Sequence, residues 1–309
     1  MPTDSNPMAE FFERAGHRTF RTETSWWYEV WPGSAFSLPY HHLIQPDRSE
    51  IERLIRDHKM RLVRYPTPLE AFGFPNTLEV RTDPNFDLSS LEREAGRQTR
   101  QGLKQCTFQR IDFDYLREHG IVLNRGTAER QGRKTIYCDP DYWRRYCDAG
   151  KATEKARAWG VFAEGQLASY LVELDWEGWS NWHLVHSSVE LLKKRPNNVL
   201  FYEATRQLLA SAPGYKICYG LGSVEPTPAL DRFKVHMGIS VLPIKNRLIF
   251  SGTARLAVAF ARPSFLWLLR KVFPKSYAVR KGAAIMELHR RQFAGRPESD
   301  AQADGIGDG

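Results

Sequence analysis

Four side chains in the second half of the chain have the chemistry that a group-transfer site needs. Lys234, in the segment ALDRFKVHMG, is a cation beside an apolar helix face. His186, near the end of the β-rich segment NWHLVHSS, can act as a base near neutral pH, and Glu173 offers a carboxylate for the same task. Tyr219 can donate a hydrogen bond to an oxyanion or a leaving group. The alternatives are a surface lysine, a structural histidine or carboxylate, and a core tyrosine.

His186 has a second histidine, His183, three residues before it. Side chains alternate between the two faces of a strand, so this spacing predicts that the two imidazoles face opposite sides of a sheet. At most one of them can then line a cleft. His186 is the better candidate because it lies closer to the loop that follows.

That loop, before the most apolar helix of the chain, is strongly cationic. Lys193, Lys194 and Arg195 precede the helical segment NNVLFYEATRQLLASAPG, for which Asn197 or Asn198 is the predicted cap. The N–H groups and the dipole at the start of a helix attract anions, so the loop is a candidate phosphate site. A solvated loop is the alternative.

The elements around these residues predict an α+β fold. Three β-rich segments, RAWGVFAE, LASYLVELDW and WSNWHLVHSS, form an antiparallel meander, and the strand YKICYGLGS returns across a helix to lie parallel to its partner. ISVLPIKNRLIF is predicted to be a strand pair and DFDYLREHG a short helix that ends at Gly120. The first 20 residues show no clear periodicity and are expected to drape over the fold.

Four segments in this order carry a family resemblance: GVFAEGQLASYLVEL, VLFYEATRQLLA, ICYGLGSV and LDRFKVHMG. They resemble the GNAT acyltransferase fold, and more closely the branch with the Fem-type aminoacyltransferases and the acetyltransferase-like domains of bacterial polysaccharide gene clusters. The last segment matches that branch's Phe-Lys-x-x-Phe-Gly signature, with Met237 in place of the second Phe. The resemblance covers residues 87–250. Since Fem-type proteins pair two such domains, residues 1–86 are predicted to be a partial first copy.

The resemblance implies a GNAT-like, mostly antiparallel sheet with a cleft where two strands splay. It implies an N-acyltransferase that moves an acetyl, acyl or aminoacyl group to an amine of a small molecule, an amino sugar or an envelope or polysaccharide precursor. Lys234 matches a lysine that acts as a cation near the donor's phosphate or the oxyanion. The loop before the central helix lacks the family's glycines, so acyl-CoA and aminoacyl-tRNA both stay open as donors, with no tightly bound cofactor. The alternative is a catalytically inactive GNAT-fold binding or scaffolding protein of an envelope-synthesis system.

The net charge of +8 is concentrated near the carboxy terminus. Residues 243–296 hold twelve Lys and Arg against one acid. Residues 251–294 are predicted to be a basic amphipathic helical extension and 295–309 a disordered tail. The apolar clusters within 256–269, interleaved with cations, fit contact with an anionic inner-membrane surface and a lipid-linked acceptor. Packing of the same residues on the sheet is the alternative.

The composition also excludes other classes of protein. No apolar run is long enough to span a bilayer, and the amino terminus has no apolar signal-peptide core. The four cysteines have no metal-ligand spacing, so no metal site is expected. The basic segment has no zinc or helix-turn-helix motif, so specific DNA binding is not expected. We expect a cytoplasmic protein that is peripheral to the membrane at most.

Overall fold

The computed structural model describes residues 5–223, 228–255, 271–272 and 276–293. Within these ranges the strands form one mixed sheet flanked by helices, which confirms the predicted α+β fold class. The strands are β1 (Thr19–Arg21), β2 (Trp26–Trp31), β3 (Ser34–Leu38), β4 (Leu62–Thr67), β5 (Phe74–Arg81), β6 (Cys106–Ile111), β7 (Ala156–Ala163), β8 (Gln166–Trp176), β9 (Trp179–Ser187), β10 (Lys216–Leu221) and β11 (Ser240–Phe250). The helices include α1 (Pro7–Arg14), α2 (Arg48–His58), α3 (Arg93–Leu103), α4 (Phe113–Arg130), α5 (Pro140–Ala152), α6 (Pro196–Leu209), α7 (Pro228–His236) and α8 (Tyr277–Phe293).

Two pairs of the described strands are parallel, and a helix connects the strands of each pair. β3 and β4 pair over Ser34–Phe36 and Leu62–Arg64, with α2 between them in the chain. β9 and β10 pair over Trp179–Asn181 and Lys216–Cys218, with α6 between them. Beyond these short stretches each pair diverges, and we name the divergences the first splay (β3/β4) and the second splay (β9/β10). The predicted parallel return after the meander is thus confirmed.

Both halves of the chain contribute strands to the same sheet. The order across the sheet is β1-β2-β3-β4-β11-β5-β10-β9-β8-β7-β6. β11, from the carboxy-terminal half, lies between β4 and β5 and pairs with both, while β5 pairs with β10. The sheet is therefore continuous across the predicted domain boundary at residue 86. The prediction of a strand pair in 239–250 is wrong, because both edges of one continuous β11 find partners in the amino-terminal half.

The amino-terminal segment is helical where an irregular segment was expected. The side chain of Asn6 accepts hydrogen bonds from two N–H groups of the first turn of α1, and Pro7 starts the helix. Phe11 and Phe12 are buried in the larger hydrophobic core, where Phe12 stacks on Tyr28. An eight-residue helix is too short to show a clear period in the sequence, so its cap was the available signal.

The prediction that a helix ends at Gly120 is also wrong, since α4 continues to Arg130. A Cβ atom on Gly120 would lie 2.7 Å from the ring of Trp143 on α5. The glycine therefore allows α4 and α5 to approach closely and does not end the helix.

The carboxy-terminal helix α8 lies on the sheet. The side-chain amide of Gln292 donates a hydrogen bond to the Leu248 carbonyl at 2.9 Å and accepts one from the Leu248 N–H at 3.2 Å. Ala283, on α8 itself, is buried. In the described ranges, no helix is both long and apolar enough to cross a membrane. The apolar clusters of 256–269 and the tail 295–309 lie outside the described residues.

Candidate functional site

The second splay has an irregularity in each of its strands. In β9 the register against β8 skips His183, and in β10 the register against β5 skips Tyr219. Both residues follow the last parallel pair, Asn181 and Cys218. A β-bulge takes its extra residue out of the hydrogen-bonded ladder and bends the strand. The two bulges therefore open the sheet at one level.

The second splay opens into a cavity of about 360 Å³, the central cavity. A volume of this size is in the range of small-molecule sites. The sheet curves around the cavity, because both splays contribute to its wall. The lining residues are Tyr28, Val30, Trp31, Ser34, Ala35, Phe36, Tyr40, Leu62 and Arg64 on the side of the first splay, Trp182, His183 and Tyr219 to Ser223 on the side of the second, and Leu248, Lys281, Ile285 and Leu288 from β11 and α8.

A second cavity of about 570 Å³, the basic cavity, shares the wall residues Tyr28, Val30, Trp31, His183 and Lys281 with the central cavity. Its cationic lining residues are Arg18, Arg133, Lys134, Arg145 and Lys281. Glu29 is the acid in this lining, and it pairs with Arg18 at 3.4 Å. Arg133, Lys134 and Arg145 form no ion pair with any residue that the structure describes. The cavity is therefore electropositive and suits an anionic ligand.

Lys234 does not line the cleft that its predicted role requires. Its ammonium forms an ion pair with the carboxylate of Glu79 on β5, and the two side chains are 15% and 5% exposed. Glu79 is the register partner of Gly220, so the pair lies beside the β10 bulge. Lys234 is absent from the described lining of both cavities.

The predicted apolar face of the Lys234 helix is present only in part. Met237 is buried and Phe233 is half-buried. Leu230 is 42% exposed, because it lies in the first turn of α7, where the helix has not yet reached the core.

His186 is 2% exposed and lies in the core, outside both cavities. Its Nδ1 is hydrogen-bonded to Asn124 Oδ1 at 2.6 Å and to the Tyr170 hydroxyl at 3.2 Å. Burial, together with the nearby charges of Arg133 and Arg130, lowers the pKa of His186 to about 3. This is the environment of a neutral structural histidine.

The prediction that His183 and His186 face opposite sides of the sheet is wrong. The Tyr137 hydroxyl is hydrogen-bonded to His183 Nε2 at 2.9 Å, and the same tyrosine ring contacts His186. The bulge at His183 shifts the alternation by one residue, which brings both imidazoles to the side of α5. His183 is the histidine that lines both cavities, and burial lowers its pKa to about 3.

Glu173 is fully buried and already engaged. It forms an ion pair with Arg157 at 2.5 Å and accepts a hydrogen bond from Ser180 Oγ at 2.5 Å. Burial raises the pKa of Glu173, and the Arg157 charge and the Ser180 hydrogen bond oppose that shift. Among the described cavity linings Glu173 is absent, so the structure does not bring this carboxylate to the cleft.

Tyr219 lines the central cavity at the β10 bulge. Its hydroxyl is hydrogen-bonded to the Thr205 hydroxyl at 2.5 Å, and its ring stacks on Phe201 and contacts Trp182 edge-on. Burial raises the pKa of Tyr219. The hydroxyl is therefore a neutral group held by α6, and the ring forms part of the cavity wall.

The predicted phosphate loop lies at the far end of β9. Lys193 is exposed, Lys194 pairs with Glu164 at 2.6 Å, and Arg195 is the N-cap of α6 with a φ of 63°. No acid lies in the first turn of α6. The helix start is therefore a positive site, although Lys194 is partly neutralised.

The predicted caps, Asn197 and Asn198, lie inside the first turn of α6 because the helix begins at Pro196. The Asn197 amide donates to Ser187 Oγ at 3.4 Å, and Asn198 is buried against the sulfur of Met237. Proline is favourable at a first helical position, where its missing N–H has no partner to lose. The backbone N–H groups of the two asparagines are left for a ligand at the helix start.

Arg64 is the cavity residue that reasoning from the sequence missed. It lies on β4 at the end of the first splay and lines the central cavity. The available signal was the segment RLVRYP, in which alternation places one arginine between Val63 and Tyr65 on the opposite face of a strand.

Comparison with solved structures adds to this geometry. The structure superposes on FemX with a TM-score of 0.58 at 12% identity, over 83% of this chain and 94% of FemX. The chain shares the fold of FemX. The C-terminal domain of a protein from Agrobacterium fabrum, assigned as a lysylphosphatidylglycerol synthetase, superposes with a TM-score of 0.52 at 11% identity, over 84% of this chain and 92% of that domain. The predicted Fem-type fold is thereby confirmed. No protein-family model and no curated protein sequence matches the chain.

Proposed function

We propose that the protein is an N-acyltransferase that moves an acetyl, acyl or aminoacyl group to an amine at the second splay. The acceptor is a small molecule, an amino sugar or an envelope or polysaccharide precursor. Acyl transfer requires hydrogen-bond donors that point at the oxyanion, a site that binds the phosphates of the acyl donor, and an unprotonated amine. The described residues offer a feature for each requirement.

The observation that carries the proposal is the pair of bulges at the mouth of the central cavity. A bulged residue leaves its ladder, so the backbone at His183 and Tyr219 can turn toward a bound carbonyl. Gly220, with a φ of 115°, lets a ligand approach the chain closely. Lys234 forms an ion pair with Glu79, the register partner of Gly220, and is therefore the proposed positioning residue for this bulge.

The start of α6 is the proposed site for the donor's phosphates. Acyl-CoA and aminoacyl-tRNA both carry phosphates, and Lys193, Arg195 and the free N–H groups of Asn197 and Asn198 form a positive end for either. The same strand, β9, leads from this helix start to the bulge at His183. A donor anchored at α6 can therefore extend along β9 to the cavity.

The central cavity is the proposed site for the attacking amine. Its walls are mostly apolar, and the cationic groups in its described lining are Arg64 and Lys281. Low polarity and nearby positive charge both disfavour an ammonium, so a bound amine loses its proton more readily than in water. His186 and Glu173 need not serve as bases under this proposal.

The basic cavity supports an acceptor that carries an anionic group, such as a phosphate. The name of the Agrobacterium protein pairs an amino acid with a phospholipid, which supports a lipid-linked acceptor here. Contact of residues 256–269 with an anionic membrane would bring the enzyme to such a substrate.

The second candidate is a catalytically inactive protein that binds a nucleotide-bearing ligand or holds an envelope-synthesis complex together. It is favoured by the engagement of both predicted bases, His186 with Asn124 and Glu173 with Arg157.

Mass spectrometry on gently purified protein identifies any retained ligand. Incubation with acetyl-CoA or aminoacyl-tRNA and a panel of amino sugars and anionic phospholipids then separates the candidates. Transfer to an amine supports the enzyme, whereas a retained ligand without turnover supports the binding protein.

A further inference from the structure

Arg64 is a cation at the edge of the first splay, facing the central cavity. Its register partners are Phe36 on β3 and Leu248 on β11. The guanidinium lies 5.2 Å from the centre of the Phe36 ring. The side-chain amide of Asn246 is satisfied when its oxygen faces Arg64 and accepts a hydrogen bond from Nη2 at 2.8 Å. An amide dipole and an aromatic ring therefore hold the charge in place.

No carboxylate neutralises this charge within the part of the chain that the structure describes. Arg64 takes part in no ion pair there, and its Nε is enclosed without a hydrogen-bond partner. The described lining of the central cavity contains no Asp or Glu. Burial lowers the pKa of Arg64 to about 10, which leaves it charged at physiological pH.

Arg64 is half-buried. A partly desolvated charge without a countercharge lowers the stability of a fold, and arginines in such positions are ordinarily paired. The exception is a site where the partner arrives with a ligand, so that the cost is offset on binding. Nη1 of Arg64 is not enclosed and has no partner among the described residues. The free donor capacity of the guanidinium thus faces the cavity.

The surroundings of Arg64 select the chemistry of that partner. The hydroxyls of Tyr28 and Tyr40 are hydrogen-bonded to each other at 3.1 Å, so they offer few further hydrogen-bond donors to a ligand. A phosphate dianion needs several donors, whereas one guanidinium balances one carboxylate in charge and in planar geometry. The remaining wall is mostly apolar and aromatic, with Trp182, Leu248 and Leu288 in it, and its other cation, Lys281, lies over the Trp31 ring at 4.7 Å.

We propose that the central cavity binds a carboxylate carried on an apolar or aromatic body, and that Arg64 recognises the carboxylate. This inference rests on the proposed function, in which the cavity holds the acceptor, and it adds the class of acceptor. The amine and the carboxylate then belong to one molecule, with the carboxylate toward the first splay and the amine toward the second. Carboxylate binding needs no donor and can be measured without turnover.

The test is calorimetric titration of the full chain with three probes: phenylacetate, its uncharged isostere phenylacetamide, and inorganic phosphate. The variants are Arg64→Met, Arg64→Lys and, as a matched loss of one cation outside both cavities, Arg110→Met; Arg110 lies exposed on the edge strand β6. Phenylacetate is expected to bind the parent and Arg110→Met alike. It is expected to bind Arg64→Met roughly ten- to hundredfold more weakly, which is the loss of a charge-assisted hydrogen bond. Arg64→Lys keeps the charge but loses the planar, two-pronged guanidinium, so its phenylacetate affinity is expected to lie between those of the parent and Arg64→Met. It replaces Arg64→Met in the test if the methionine variant does not fold.

Equal binding of phenylacetamide and phenylacetate by the parent would overturn the inference, as would unchanged phenylacetate affinity in both Arg64 variants. Phosphate that binds the parent more tightly than phenylacetate, and that loses this affinity in the Arg64 variants, would also overturn it. Acyl transfer by a parent protein that binds no phenylacetate overturns this inference alone. Phenylacetate binding lost in the Arg64 variants, in a protein without transfer activity on any panel, supports the site and counts against the proposed function. The melting temperature gives an independent readout: without ligand, Arg64→Met is expected to melt no lower than the parent, and phenylacetate is expected to raise only the parent's melting temperature.

Discussion

The two splays have the same plan, but their connecting helices begin differently: α2 begins with carboxylates and one arginine, Arg48, whereas α6 begins after three cations and has no acid in its first turn. In the first, α2 begins after Asp47 and has Glu50 in its first turn. Glu50 is 2% exposed and accepts hydrogen bonds from Thr24 N and Oγ1 at 3.0 and 2.8 Å. In the second, α6 begins after Lys193, Lys194 and Arg195 and has no acid in its first turn.

The difference shows how one architecture can serve two roles. Helix starts attract anions through their dipole and free N–H groups. At α2 the carboxylates of Asp47 and Glu50 place negative charge near the helix start and so disfavour a second anion, whereas at α6 cations reinforce the attraction. A phosphate-bearing donor is therefore expected at the second splay. The first splay contributes Arg64 to the cavity wall instead, which suits recognition of the acceptor.

The largest expected effect concerns the ion pair beside the second splay. Lys234→Ala leaves Glu79 buried without a partner, and breaking a buried pair on one side costs about 3–5 kcal/mol of stability. We expect loss of transfer together with a marked drop in the melting temperature.

The paired variant Lys234→Met with Glu79→Gln separates the two effects. It removes both charges at similar volume, so most of the stability is expected to return. Transfer is expected to stay low if the cation helps the reaction. Full activity in the paired variant would show that Lys234 serves stability only.

A substitution at the β10 bulge tests the geometry of the second splay. Gly220 has a φ of 115°, and no atom lies within 4 Å of the position that a Cβ would occupy, so Gly220→Ala adds backbone strain without a clash. Such strain costs about 1–3 kcal/mol. We expect a fall in kcat, measured beside Gly178→Ala, a turn glycine with a φ of 75° and equally open space. Equal kcat in the two variants at matched stability would contradict a role for the bulge.

Charge reversal compares the two helix starts directly. Lys193→Glu with Arg195→Glu at α6 is expected to raise the donor's KM roughly tenfold or more, because charge-assisted contacts to phosphate are lost. The acceptor's KM is expected to change little. Arg48→Glu with Arg53→Glu reverses the same number of charges at α2 and is expected to leave the donor's KM unchanged. A larger rise in the donor's KM from the α2 variant than from the α6 variant would contradict this account, because it would place the donor at the first splay.

The smallest effect is a pH dependence specific to β9, since β3 and β4 contain no histidine. Burial lowers the pKa of His186 to about 3, so the folded protein binds fewer protons than the unfolded chain below about pH 6.5. This contribution to stability is complete above about pH 6.5 and is lost as the pH falls toward 3. His186→Gln is expected to lessen the acid destabilisation by on the order of 1 kcal/mol at pH 5.5, from urea unfolding at several pH values. The exposed His119→Gln is the control, and identical pH profiles of all three proteins would contradict the assignment.

The elements that the sequence predicted are those with a local signature. α2 has apolar residues at helical spacing after Asp47, and the β7 to β9 meander alternates between Gly-containing turns. The course of the chain after the meander followed from the same signals. These features depend on neighbours in sequence, which a single chain displays.

The features that the sequence did not predict depend on contacts between distant segments. The bulge at His183 becomes visible only against β8, and the role of Gly120 only against Trp143. The pairing of β11 with β4 and β5 joins residues far apart in the chain. The same holds for two charged residues. Arg64 lacks a countercharge and Lys234 is paired with Glu79 only because of how the sheet assembles, which the sequence does not display.

The central claim is that the second splay, and not the first, holds the donor. Amide chemical shifts measured by NMR during titration with coenzyme A, and separately with a 3′-aminoacyl nucleotide, test it directly. We predict that at least one probe shifts the amides of Asn197 and Asn198 at the start of α6, together with those of His183 and Tyr219. Shifts confined to Ser49 and Glu50 at the start of α2, or no shift at α6 with either probe, would contradict the account.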